Sequence, residues 1–146
     1  MKLSVYGRLR SGESLHDIVL KPSIDKKKSS LITTMMLTEY TMYQIRDYPV
    51  VCKTKAGIIK VELYDIDDSL FSQIEYWKPK YVELTRVSDM IRDNSRGYSY
   101  FSKVYFWMHT IQPSEELSTF PIVSDGDWSK RTLEYSKDVE QLLPIK

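Results

Sequence analysis

The run Ile59-Lys60-Val61-Glu62-Leu63-Tyr64 alternates apolar and polar side chains without a break. A period of two is the signature of a β-strand with one face in a core, so Ile59, Val61 and Leu63 are expected on one side and Lys60, Glu62 and Tyr64 on the other. Similar signals precede it. Leu31-Ile32-Thr33-Thr34-Met35-Met36-Leu37, Tyr40 to Ile45 and Val50-Val51-Cys52-Lys53-Thr54 are rich in the residue types that favour strands. Turns are expected at Asp47-Tyr48-Pro49 and at Ala56-Gly57. Tyr81 to Val87 and Val104 to His109 read as later strands, separated by a turn at Asp93 to Gly97. Three helices complete the reading. Ser14 caps a short one carrying Leu15, Ile18 and Val19. Asp67 starts a second, whose stripe is Leu70, Phe71, Ile74 and Trp77 and which Pro79 stops. A third runs from about Lys130 to Leu143, with Leu133, Val139, Leu142 and Leu143 inward. The class is α+β, with a strongly curved or barrel-like sheet.

At 146 residues the chain suits one domain spanning 1–146, since two halves would each have little core. The formal net charge of +1 offers no global attraction to nucleic acid or membrane, and the run Lys26-Lys27-Lys28 reads as a solvated loop. Cys52 is the single cysteine, so an internal disulfide and a thiolate metal cluster are both excluded. His16 and His109 have no metal-ligand spacing to each other or to Cys52, and Asp125-Gly126-Asp127 does not continue as a calcium loop. No cofactor is expected. The sequence holds no Walker loop, dinucleotide fingerprint, nucleophile elbow or His-Glu-x-x-His, which argues against common nucleotide hydrolases, serine hydrolases and zinc peptidases. Nor does it show a signal peptide or a membrane-length apolar run, so a cytoplasmic protein is expected.

A first strand, Leu3-Ser4-Val5-Tyr6, breaks at Gly7-Arg8-Leu9-Arg10-Ser11-Gly12, a loop bounded by glycines that let a ligand approach the backbone. This loop resembles the N-terminal Tyr-Gly-Ser/Thr-Leu loop of the gamma-glutamylcyclotransferase family, which includes the AIG2-like proteins. Other islands follow in the same order: His16, Tyr48-Pro49, Gly57 through Tyr64 with Asp65-Ile66-Asp67, Leu70 to Ile74, Tyr81 to Val87, Val104-Tyr105-Phe106-Trp107, and Asp125-Gly126-Asp127-Trp128. The resemblance implies a mixed β-barrel core flanked by helices, with a pocket between the Tyr-Gly loop and the end of the catalytic helix.

It also implies a reaction. The α-amine of a γ-glutamyl group attacks its own γ-carbonyl, releasing 5-oxoproline and an amine, while one Glu acts as general base and then general acid. The family carries this Glu in a segment like Leu-Asp-x-x-Glu-Gly. Here the run is Ile74-Glu75-Tyr76-Trp77-Lys78-Pro79, so Lys78 stands at the catalytic position and Glu75 at the Asp position. A lysine of ordinary pKa is a cation with no lone pair at neutral pH, and it would repel the substrate ammonium. Arg8 replaces the loop's usual Ser or Thr. Two cations beside backbone amides favour carboxylate or phosphate oxygens. The expected partner is therefore an anionic small molecule, such as a nucleotide-like metabolite, held or sequestered without standard turnover. Tyr6, Gly7, Arg8, Leu9, Arg10 and Lys78 are the expected ligand-binding residues, and Tyr6, Tyr76 and Trp77 are candidates to stack on a base. The alternative is an active cyclotransferase with Glu75 or Glu83 as the displaced carboxylate. No nucleic-acid polymer or membrane partner is expected, and the oligomeric state is left open.

Overall fold

The computed structural model describes residues 1–94 and 97–133, without the Asp93 side chain. Five strands form one mixed sheet: β1 Lys2–Val5, β2 Ser30–Ile45, β3 Tyr48–Asp65, β4 Glu83–Asp93 and β5 Tyr100–Thr110. Their order is β2-β3-β1-β5-β4. All pairings are antiparallel except β1 with β5, which run parallel with Leu3 opposite Trp107. The chain after β1 forms a wide helical turn at His16–Leu20 that continues as α1, Lys21–Asp25. No side chain caps it, so the expected Ser14 cap is absent. Helix α2, Asp68–Trp77, begins after Asp67 and ends before the extended Lys78, as the Pro79 signal implies.

The alternating segment lies in β3. Ile59, Val61 and Leu63 are fully buried and pack with Tyr6, Met42, Phe106, Met108 and Trp128 in the main core. Burial of this kind is worth roughly 1.5–3 kcal/mol per large apolar side chain. The opposite face of β3 is covered too, since Glu62 and Tyr64 are also buried. A second core on this side joins Leu3, Val5, Leu9, Leu20 and Tyr64 to Leu70 and Ile74 of α2. Phe71 packs partly against it, whereas Trp77 is 43% exposed, so the expected stripe loses its last member.

Three expectations are corrected. Ala56-Gly57 does not turn the chain, because β3 passes through it unbroken. A Cβ at Gly57 would lie 2.3 Å from the Tyr40 carbonyl oxygen and 2.5 Å from the Thr41 hydroxyl, so this glycine permits close strand packing rather than reversal. Register shifts between Leu31/Thr33 and Thr38/Tyr40 make one bent β2 from two expected strands. The barrel, finally, does not close. Edges β2 and β4 face one another across a crevice of about 280 Å³ lined by Leu37 to Tyr40 and Arg86 to Asp89, and no ladder joins them among the described residues. Charged Glu39, Lys53, Arg86 and Asp89 line that seam, where desolvating them would cost more than a ladder returns.

The Lys26–Lys28 run is an exposed turn, as expected. The expected C-terminal helix lies largely outside the described residues. Its described beginning is a short turn, Trp128–Lys130, followed by extended Arg131, and Leu133 is exposed.

Candidate functional site

The loop after β1 is built from successive tight turns, with Arg10 N–H donating to the Gly7 carbonyl at 3.0 Å and Glu13 N–H to the Arg10 carbonyl at 3.1 Å. Tyr6, Arg8, Leu9 and Arg10 are all buried, so the loop is part of the interior. The His16 Nδ1–H donates to the Leu9 carbonyl at 2.8 Å, which gives both histidine and loop a structural tie.

Glu62 is the loop's main anchor. Its Oε1 accepts from Ser11 N–H at 2.8 Å and from the Tyr64 hydroxyl at 2.8 Å, and its Oε2 accepts from the Ser11 hydroxyl at 2.9 Å. Arg10 lies between two acids: Nη1 donates to Asp127 Oδ1 at 2.8 Å, and Nε is 3.9 Å from Glu62 Oε2. Asp127 also accepts from the amide and hydroxyl of Ser129 at 3.0 and 2.7 Å. Thus Arg10, expected to bind ligand, is engaged internally. The crevice beside it, lined by Gly7, Arg10, Ser11, Glu13, Trp128 and Ser129, has about 20 Å³, roughly the space of one water.

Burial alone would raise the Asp127 pKa, but the Arg10 and Ser129 hydrogen bonds outweigh it and hold the carboxyl at about 2. A depressed carboxyl stabilises the fold at pH values above its unfolded pKa, and the contribution fades as pH falls through the folded value. Native Asp127 should therefore contribute on the order of 2 kcal/mol above pH ~4, lost towards pH ~2. Urea titrations across that range should show a flatter acid limb for Asp127→Asn; an unchanged slope would remove Asp127 from the account.

On its other side the loop meets a second cluster. Burial lowers the Arg8 pKa, while nearby Asp47, Glu13 and Tyr48 favour its charged form. Arg131 pairs with Glu13 at 3.1 Å and with Asp47 at 3.3 Å, and its guanidinium lies 4.9 Å from the Trp128 ring centre. Burial, then the neighbouring phenols of Tyr81 and Tyr6, pushes the Tyr48 pKa up. Tyr6 is raised likewise by burial, with Tyr81 nearby. Tyr81 also lines a cavity of about 550 Å³ with Ile45, Ile111, Gln112, Ser114, Glu116, Leu117 and Phe120. That is a usual size for a small-molecule site.

The remaining expected residues lie at the end of α2. Lys78 Nζ is 3.1 Å from Glu75 Oε2, and His109 Nε2 donates to Glu75 Oε1 at 2.5 Å. His109 stands two residues beyond Trp107 on β5, just as Val5 stands two beyond Leu3 on β1, so the pair sits level with the strand end that launches the Tyr-Gly loop. Burial raises the Glu75 pKa, but His109 and Lys78 outweigh it and the net shift is downward. Glu83 is exposed and accepts from Gln112 Nε2 at 3.1 Å.

The structure therefore joins Lys78 to Glu75 and gathers Arg8 with Glu13, Asp47, Tyr48, Tyr81 and Arg131. It does not assemble the expected aromatic stack: Tyr6 is 4% exposed in the core, whereas Tyr76 is 86% exposed. Sequence reading missed Asp47, Tyr81, Arg131 and the partnership of His109 with Glu75. Only tertiary contacts bring these together, and no spacing signal marks them. No group of His, Cys, Asp and Glu suited to a metal ion occurs among the described residues. No helix there is long and apolar enough to cross a membrane.

The chain is thus an α+β protein: a mixed sheet whose first strand runs into a glycine turn pinned by a buried glutamate. Residues 3–130 match the family described as gamma-glutamyl cyclotransferase, AIG2-like, and the chain belongs to that family. The fold is similar to that of the uncharacterized PH0828 protein of Pyrococcus horikoshii, with 23% identity over 94% of this chain and 97% of that one, TM-score 0.59. It is also similar to an AIG2-like protein of Mus musculus, at 14% identity over 82% and 83% of the two chains, TM-score 0.58. The ytfP protein of Escherichia coli shares 20% identity over 88% and 96%, TM-score 0.54. No curated protein matches the chain.

Proposed function

We propose that this chain is a gamma-glutamylcyclotransferase-like protein that holds a small molecule at the Arg8 side of the Tyr6–Arg10 loop, without the ring-closing turnover typical of the family. The supporting observation is the Glu75–Lys78–His109 arrangement. A proton shuttle needs a carboxylate with an accessible lone pair and a pKa moved towards neutrality. Glu75 instead has one oxygen against an ammonium and the other on an imidazole, and its pKa is shifted downward. Lys78 also brings positive charge where an incoming ammonium would have to approach. The ligand's anionic group faces Arg8, and its body extends past Tyr48 and Tyr81 into the apolar cavity. Asp47 and Glu13 near Arg8 favour a ligand that also carries a hydrogen-bond donor or a cationic group.

A second reading has one observation in its favour. Glu75 is half-buried, level with the start of the loop, and joined to a histidine that could pass a proton onward. In that reading the chain is an active cyclotransferase and Glu75 is its base. Measuring 5-oxoproline release from γ-glutamyl dipeptides and γ-glutamyl-amines separates the two. No release above background is expected, together with a small anionic metabolite detected by mass spectrometry of the purified protein. Robust release, lost about a hundredfold or more in Glu75→Gln but kept in Glu83→Gln, would establish the second reading instead.

A further inference from the structure

The β4–β5 hairpin has two unlike faces. Val87, Phe106 and Met108 point into the core. The opposite face presents, through the pairing of Arg86 with Trp107, Ser88 with Tyr105, Met90 with Lys103 and Arg92 with Phe101, three cations, three aromatic rings and no acid. At its base Leu84 and Trp107 pack against the core beneath α2. Farther out the face is open: Phe101 is 66% exposed and Tyr105 50%, and Arg86, Arg92 and Lys103 are exposed as well. The Arg86 guanidinium lies 4.7 Å from the Tyr105 ring centre and the Lys103 ammonium 5.5 Å from it, so that ring holds two cations in place. The whole-chain charge of +1 conceals this face, whose nearest described acids, Glu39 and Asp89, line the crevice at its edge with Arg86.

We propose that this face binds single-stranded nucleic acid. Arg86, Arg92 and Lys103 supply the charge that a run of phosphates requires, and Phe101 supplies an uncapped ring on which a base can stack. Pairing on a sheet holds these groups at fixed spacing, with Phe101 and Tyr105 about 13 Å apart along the strand. A lipid surface fits less well, since cations or Ser88 interrupt the apolar side chains at nearly every step and leave no continuous wedge. A duplex fits less well too, because its bases are not free to stack on Phe101.

The test is fluorescence anisotropy of labelled oligouridylate and oligothymidylate of about ten nucleotides, with the full chain, as a function of salt. Binding should weaken with a log–log slope near −2, the value for about three phosphates on a single strand. Phe101→Ala should reduce affinity roughly five- to a hundredfold. Lys103→Ser and Arg92→Ser should each reduce the slope by about 0.7. These side chains are exposed, so circular dichroism should show all three variants folded. Replacing Lys26, Lys27 and Lys28 together by serine should leave binding unchanged. Absence of binding at low salt, indifference to Phe101→Ala, or equal loss on removing the Lys26–Lys28 run would overturn the proposal. So would binding to phosphatidylserine vesicles without binding to either oligonucleotide.

Discussion

Gly126→Ala should destabilise the protein by about 3 kcal/mol or more, among the largest losses available to a one-carbon change. Gly126 has φ +62°, a left-handed conformation that alanine adopts only with strain. Its missing Cβ would lie 1.9 Å from the Ile58 carbonyl oxygen and 2.5 Å from the Ile59 Cα. Both obstacles are backbone, and Ile59 is fully buried in β3, so no side chain can swing aside to relieve the clash. The turn Ser124–Gly126 would have to lift away from β3, drawing with it Asp127, which holds Arg10, and Trp128, which fills the main core. Urea unfolding reads the effect directly. A loss below about 1 kcal/mol would mean the turn can slide off β3 at little cost.

Glu62→Leu should cost roughly 3–5 kcal/mol, because a buried acceptor of charged and neutral donors is removed while the donors stay. The Ser11 amide and the Tyr64 hydroxyl lose their carboxylate partner, and Arg10 keeps Asp127 as its close acid among the described residues. Glu62→Gln retains an oxygen for the same donors and should cost about 1–2 kcal/mol, reflecting the lost charge beside Arg10. Hydrogen exchange at the Ser11 amide should accelerate in the leucine variant more than in the glutamine one. If the two variants unfold at the same urea concentration as the native chain, Glu62 does not anchor the loop.

Glu62 and Gly57 also show how the sequence could and could not be read. The alternation from Ile59 to Tyr64 was enough to place a strand and to assign Ile59, Val61 and Leu63 to the core. It also put Glu62 on the other face, but a period of two says nothing about what covers that face. The loop folding back over β3 turned a polar position into a buried anchor. Gly57 shows the opposite error. Beside alanine it looked like a turn, yet it marks a bend where the Tyr40 backbone comes close, and that contact joins positions far apart along the hairpin.

The candidate site divides the same way. The glycine-bounded loop and the closeness of Glu75 to Lys78 were visible in the chain, since they depend on neighbours a few residues apart. The capture of Glu75 by His109, the internal use of Arg10 by Asp127 and the gathering of Asp47, Tyr81 and Arg131 around Arg8 involve residues tens of positions distant. By itself the sequence determined the strands, the second helix and the family's frame, because backbone preference and hydrophobic period act locally. Only the tertiary structure decided which charges are paired with which, because charge pairing depends on distance and burial in space, and the folding of the sheet sets both.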